Sequence, residues 1–138
     1  MESNKLELKS NFLEEVSPQS HFEVVFDQLP GVSFFAKNRD FEIVSANRAF
    51  WERLNCQSES DVIGKTDFDL FPEQLAKKFR EDDEIVVLTG RPKLKIIELF
   101  FNRQGLPDWY FTNKFPVFGR DGGVIGVTGT VQSYSGRR

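Results

Sequence analysis

The sequence has few of the residues that metal, disulfide and nucleophilic sites require. Its 138 residues include one cysteine, Cys56, and one histidine, His21. A single cysteine excludes an internal disulfide and a cysteine-cluster metal site. The lone histidine has no evident partner for a catalytic triad, and we interpret the acidic run "DDE" at 82–84 as a solvated helix face. We therefore expect a non-enzymatic domain without a metal site.

Positive charge and long apolar runs are also scarce. The net charge is −3, whereas nucleic-acid-binding domains are usually basic. No apolar run approaches the roughly 18 residues that a membrane span needs. The first residues, "MESNKLELKS", lack the basic-then-apolar pattern of a signal peptide. These features predict a cytoplasmic domain that contacts neither membrane nor nucleic acid directly.

Aromatic residues, by contrast, are abundant. Fifteen phenylalanines are present, which indicates an interior built around aromatic rings. The chain is also long enough for one domain with a buried core.

The order of predicted elements indicates an α+β fold. "VSFFAK" and "FEIVSA" read as strands joined by a tight turn. Helices follow at "RAFWERLN", capped by Asn47, at "SESDVI" and at "PEQLAKKFREDDEIVVLTG". Strands at "LKIIELFFN", "DWYFTNKFPVF" and "GVIGVTGTVQ" end the chain, and their short connections favour an antiparallel sheet with helices over one face.

A separate amphipathic helix is predicted at the N-terminus. Its apolar residues recur at roughly helical spacing; they are Leu6, Leu8, Phe12, Leu13 and Val16. We divide the chain into this dimerisation segment at 1–19, a main domain at 20–134, and the start of a linker to an output domain at 135–138.

In combination, three stretches resemble a PAS domain, the sensor module of many bacterial regulators and kinases. They are "LPGVSFFAKNRDFEIVSANRAFWERL", "IGKTDFDLFPEQLAKKFREDDEIVVLTGRP" and "FTNKFPVFGRDGGVIGVTGTV". The resemblance implies a five-stranded antiparallel sheet whose middle helices enclose a ligand pocket. One departure is that Ser133, Tyr134 and Ser135 replace the Asp-Ile-Thr motif that often ends such domains.

The resemblance also bears on cofactors. A flavin-adduct cysteine would stand at the position of Asp67, a haem-binding histidine would lie on the long helix, and a chromophore cysteine would lie near "LFPEQ". None of these is present, so we expect no common coloured cofactor and leave an unknown small molecule open.

The strand around Lys114 supplies the first candidate site residues. The resemblance suggests that Lys114, Thr112 and Tyr110 face the pocket. A hairpin centred near Leu106 would place Glu98 opposite Lys114 and Phe100 opposite Thr112. Lys114 then either forms a purely structural pair with Glu98 or also binds a ligand carboxylate or phosphate. An error in this register would instead place Lys114 in solvent.

Further pocket residues come from the helices and the last strand. The candidate walls are Phe50, Phe68, Leu70, Phe100, Val127 and Val131. Asp82 and Asp83 each lie about 50° from the apolar stripe of the long helix, and Asp83 is taken as the pocket residue. The alternative is that aromatic side chains fill the cavity.

On the opposite sheet face, Trp109, Phe111 and Phe115 form an apolar strip that requires cover. We predict that the N-terminal helix covers it, from the same or a second chain. The predicted dimer interface comprises Leu8, Phe12, Val16, Trp109 and Phe111.

The functional hypothesis is a ligand-sensing, dimerising domain that controls an output domain in transcription regulation. The alternatives are a pure interaction module with a filled pocket and the sensor part of a histidine kinase.

Overall fold

The computed structural model describes residues 2–16, 23–102 and 104–134. His21 and the 135–138 segment lie outside this range. The helices are α1 (Glu2–Glu15), α2 (Glu23–Asp27), α3 (Arg48–Arg53), α4 (Asp67–Leu70) and α5 (Glu73–Thr89), with a 3₁₀ turn at Glu59–Asp61. The strands are β1 (Val32–Asn38), β2 (Ile43–Ala46), β3 (Lys93–Phe101), β4 (Pro107–Phe118) and β5 (Val124–Ser133).

The five strands form one antiparallel sheet in the order β2-β1-β5-β4-β3. Two hairpin regions generate this order: β1 pairs with β2, and β3, β4 and β5 pair in succession. The sheet is completed where β5 pairs with β1. Helix α3 packs on β1, and α5 packs on β4 and β5. The predicted α+β fold, with its five-stranded antiparallel sheet, is therefore confirmed.

Asn47 fixes the junction of the first strands and the middle helices. Its side-chain oxygen accepts hydrogen bonds from the amides of Phe34 at 2.8 Å and Phe50 at 3.1 Å. Its amide group donates to the carbonyls of Phe26 and Val32. The predicted helix cap at Asn47 is confirmed, and it also ties α2 to β1.

The apolar core lies under this junction. The buried cluster consists of Phe35, Ile43, Ala46, Phe50 and Val62. The predicted helix at "SESDVI" is only the 3₁₀ turn, since Gly64 takes a positive φ of 82° soon after it and ends the segment.

The β3–β4 hairpin has a different register from the predicted one. Glu98 pairs with Tyr110, and Lys114 pairs with Lys93. The turn is built around Asn102, whose side chain accepts hydrogen bonds from the amides of Gln104 and Leu106. This turn lies earlier in the chain than the predicted one and leaves Pro107 in the strand, so the predicted cross-strand pair of Glu98 and Lys114 is wrong.

Helix α1 forms as predicted but buries no residue. Leu8 and Phe12 are 73% and 62% exposed, and Trp109 on the outer sheet face is 52% exposed. The two apolar surfaces therefore do not cover each other within one chain. None of the described helices has the length and apolar character to cross a membrane.

Candidate functional site

A cavity of about 50 Å³ lies between the sheet and the middle helices. Its lining residues are Phe35, Lys37, Phe50, Arg53, Leu54, Asp67, Phe71, Phe79, Glu98, Phe100, Tyr110, Thr112, Lys114 and Val131. Strand β4 contributes Tyr110, Thr112 and Lys114 to this lining, because side chains two residues apart along a strand project toward the same face of the sheet. The volume exceeds the roughly 10–15 Å³ that one water requires.

Aromatic rings form a large part of the cavity wall. Phe71 packs edge-on against Phe79 at 5.1 Å between ring centroids and against Phe100 at 5.8 Å. Phe35 and Phe50 meet at 6.1 Å. These contacts join α3, α5 and two strands around one apolar space, as the abundance of phenylalanine predicted.

Two buried lysines and two buried aspartates form a charged network on one side of the cavity. Lys37 donates hydrogen bonds to Asp67 and Asp83, each at 2.6 Å. Lys114 donates to Asp83 at 2.6 Å and to the Phe79 carbonyl at 3.2 Å. All four charged side chains are almost wholly buried. Asp83 bridges the two ammonium groups, so the network carries equal numbers of positive and negative groups.

The two lysines differ in proton affinity. Burial alone lowers the pKa of Lys37, but the attraction of Asp67 and Asp83 outweighs it and leaves this pKa raised. Burial also lowers the pKa of Lys114, where Asp83 offsets only part of the effect and the like charge of Lys37 adds to it. The difference follows from carboxylate contacts, since Lys37 has two and Lys114 has one.

A second ionic cluster adjoins this network. Asp82 accepts a hydrogen bond from Lys78 at 2.7 Å and another from Lys93. Burial raises the pKa of Asp82, but the two lysines more than offset this and leave it lowered. The interpretation of 82–84 as a solvated face is therefore wrong for Asp82 and Asp83, which are 2% and 0% exposed.

Glu98, in the cavity wall, carries a buried carboxylate oxygen that lacks a hydrogen-bond donor among the described residues. Its Oε1 atom receives a long hydrogen bond of 3.4 Å from Thr112. Its Oε2 atom is buried and accepts no hydrogen bond from any described residue. Burial raises the pKa of Glu98, and the nearby charge of Lys114 offsets only part of the rise. A buried acceptor without a donor costs free energy, so this atom identifies a position where a donor would bind favourably.

Arg53 also lines the cavity and interacts electrostatically with Glu98. Its guanidinium stands 4.4 Å from the centre of the Tyr110 ring and 5.9 Å from that of Phe100. Burial lowers the pKa of Arg53, although Tyr110 and Glu98 act in the opposite direction. Cation–π contacts of this kind contribute more when they are desolvated.

Most predicted pocket residues line the cavity. Lys114 is 2% exposed, so its inward orientation is confirmed. Five more predicted residues lie in the wall: Phe50, Glu98, Phe100, Tyr110 and Thr112. Val131 is there too. Their roles in binding a ligand remain predictions.

Other predicted residues lie elsewhere. Phe68 is 43% exposed and faces away from the cavity beside Arg80, because α4 turns Asp67 inward instead. Val127 and Asp83 are fully buried but do not line the cavity. Asp83 lies behind the two lysines and holds them. Leu70 packs on the apolar core.

Among the charged residues of the cavity wall, three were not predicted: Lys37, Asp67 and Arg53. The alternation of "VSFFAK" could have identified Lys37, since it places this lysine on the same strand face as the buried Phe35. The position of Asp67 depends on contacts distant in sequence. In the described part of the chain, no group of three or more histidine, cysteine, aspartate or glutamate side chains is placed to hold a metal.

Comparison with known proteins agrees with this architecture. A family model described as the PAS fold matches residues 26–138, most of the chain. The chain belongs to the PAS family. No curated protein matches this PAS domain.

Solved structures similar to this PAS domain come from several bacterial proteins. A Vibrio cholerae VqmA–ligand–DNA complex is 27% identical over 80% of the chain, which matches 48% of that protein, with a TM-score of 0.71. VqmA bound to DPO is also 27% identical, over 81% of the chain and 56% of that protein, with a TM-score of 0.71. A sensory box histidine kinase from Vibrio cholerae is 19% identical over 96% of the chain and 98% of that protein, with a TM-score of 0.60; this likeness concerns the fold alone. The chain spans about half the length of the VqmA structures it matches.

Proposed function

We propose that this PAS domain senses a small molecule in its central cavity and thereby controls an output domain that regulates transcription. The observation that carries the proposal is the cavity itself, which combines aromatic walls with a few convergent polar groups, as ligand sites commonly do. One VqmA structure contains a ligand and DNA, and the other contains DPO. These structures support this choice over a kinase sensor because their 27% identity exceeds the 19% of the kinase.

A second candidate is an interaction module that binds no ligand. The cavity volume of about 50 Å³ favours it, since pockets for drug-sized ligands usually measure about 300–1,000 Å³. The two candidates differ in whether the cavity holds a molecule in solution.

Native mass spectrometry of the freshly purified chain separates these candidates. A sensor should retain a small molecule, seen as a discrete added mass that denaturation releases. Val131→Phe should abolish this mass because Val131 lines the cavity. The matched variant Val44→Phe should retain it, since Val44 is 52% exposed. The interaction module would be favoured by two results together. One is a wild-type spectrum without an added mass, and the other is an unchanged melting temperature when a small-molecule extract of the expression host is added.

A further inference from the structure

We propose that the cavity recognises a compact, uncharged molecule with an N–H or O–H donor, which binds the free carboxylate oxygen of Glu98. This inference rests on the proposed sensor function and specifies its ligand class.

The first argument is the balance of charge around the cavity. Three cationic side chains, Lys37, Lys114 and Arg53, are matched by three carboxylates; these are Asp67, Asp83 and Glu98. Both lysines already donate to buried aspartates at 2.6 Å. An anion entering this space would find no lysine free of a carboxylate. Desolvating a charged ligand is expensive unless a specific partner compensates it, so the balance favours an uncharged ligand.

The second argument is the type of group left unsatisfied. The buried Oε2 atom of Glu98 accepts no hydrogen bond from the described residues. An acceptor requires a donor, and a bare carbonyl or carboxylate on the ligand would not supply one. The raised pKa of Glu98, caused first by burial, agrees with a carboxylate that accepts only the long hydrogen bond from Thr112.

The third argument is size and surface. A cavity of about 50 Å³ admits only a few heavy atoms. The rings of Phe71, Phe79 and Phe100 surround it, so the remainder of the ligand meets apolar surface. These features together describe a small, mostly apolar molecule with a single polar edge.

Four probes of nearly equal shape test the ligand class: acetamide, acetone, acetate and acetamidinium. Each has four heavy atoms, and they differ in charge and in the presence of a donor. Ligands this small bind weakly, so binding is followed by NMR titration of the ¹⁵N-labelled chain into the millimolar range. The amide signals of Leu54 and Thr112, which line the cavity, report on the site.

Acetamide should shift these signals saturably and bind at least about tenfold more tightly than acetone and acetate, because these two lack a donor and a hydrogen bond to a charged group contributes that much. It should also bind more tightly than acetamidinium, because the balanced charges of the wall would not compensate the desolvation of an added charge. Glu98→Leu should remove the advantage of acetamide over acetone. The control Glu84→Leu should preserve it, since Glu84 is exposed on α5. The comparison of acetamide with acetone on the wild-type chain is decisive even if Glu98→Leu fails to fold.

Several results would overturn the inference. Tighter binding of acetate or acetamidinium would show that the site selects a charged ligand. Equal binding of acetone and acetamide would show that the site does not select for a hydrogen-bond donor. Either result would leave the sensor function standing, because the cavity would still take a small molecule. The absence of a saturable shift with all four probes would contradict the proposed ligand class. If native mass spectrometry then also showed no retained molecule, the proposed sensor function would be contradicted as well.

Discussion

Lys37 and Lys114 occupy positions where an unpaired charge would be costly, and each is held by aspartates from the helices. Asp83 accepts from both ammonium groups through its two oxygens. Buried pairs of this kind add little net stability, because desolvation offsets most of the attraction. Their loss is still damaging, since removal of one partner leaves the other buried and unpaired. The network is therefore better understood as fixing the geometry of one cavity wall.

We predict that Lys37→Met destabilises the domain by about 3–5 kcal/mol, as breaking a buried pair does. The substitution keeps much of the side-chain length but leaves Asp67 without its ammonium partner. Urea denaturation at neutral pH measures the free energy of unfolding. Lys5→Met is the matched control, because Lys5 pairs with Glu2 at 4.0 Å on an exposed surface, where such pairs contribute about 0–1 kcal/mol. A cost for Lys37→Met as small as that of the control would contradict the buried network.

Glu98 gives a prediction about pH. Its pKa is raised in the folded state above the ordinary value of 4.5. The folded chain therefore holds this proton more tightly than the unfolded chain, and the associated stability is lost as pH rises through the folded pKa. Glu98→Gln lacks this loss, so its stability relative to wild type should increase from pH 4.5 to pH 8.

Urea denaturation of both chains across that range measures the difference in unfolding free energy. Glu84→Gln, at an exposed position, is the matched control for replacing a carboxylate by an amide. A relative stability of Glu98→Gln that stays flat or falls with pH would contradict the raised pKa.

At the scale of elements, sequence patterns predicted the order of helices and strands better than they predicted the pairing of strands. Alternation along β4 placed Tyr110, Thr112 and Lys114 on one face, and the resemblance to PAS domains correctly implied that this face looks inward. The register depended on the Asn102 turn and on an irregularity between Lys93 and Ile96, and neither has a periodic signature. A small displacement of the turn was enough to replace Glu98 by Lys93 as the partner of Lys114.

The aspartates of α5 show a similar limit. Helical rotation placed Asp82 and Asp83 at equal angles from the apolar stripe, so the helix alone could not decide their burial. That depends on the lysines of β1, β3 and β4, which are distant in sequence. The cavity could thus be predicted in outline, while its charge pairing needed the tertiary contacts.

Gly129 on β5 gives a prediction at this scale. It pairs with Phe35 on one side and with Lys114 on the other. A Cβ atom at this position would lie 2.9 Å from the Phe35 ring and would clash with the Asn113 carbonyl. Gly129→Ala should therefore destabilise the domain by about 3 kcal/mol, as overpacking can.

The measurement is thermal and urea unfolding, with Gly123→Ala as the control. Gly123 is exposed, and its nearest neighbour would lie 3.4 Å from the new atom, so its cost should stay within about 0.5 kcal/mol. Equal costs for the two variants would contradict the close approach at Gly129.

At the scale of the whole molecule, two apolar surfaces remain exposed. One lies on the outer sheet face, where Ile97, Leu99 and Trp109 are each more than half exposed. The other lies on α1 at Leu8 and Phe12. Contiguous exposed apolar surface commonly marks an interaction site. Helix α1 buries no residue and the outer sheet face stays exposed within one chain, so we propose that a second copy supplies the missing cover.

We predict that the domain is a homodimer in which the helix of one copy covers the sheet face of the other. Deleting residues 1–18 should weaken dimerisation and lower solubility, because the outer strip would lose its cover. Sedimentation velocity across a range of concentrations measures the change. Phe12→Glu should weaken the dimer in the same way, since it places a charge on the apolar side of α1, whereas the exposed Glu7→Gln should not. Dimer affinity that survives both the deletion and Phe12→Glu would rule out this interface.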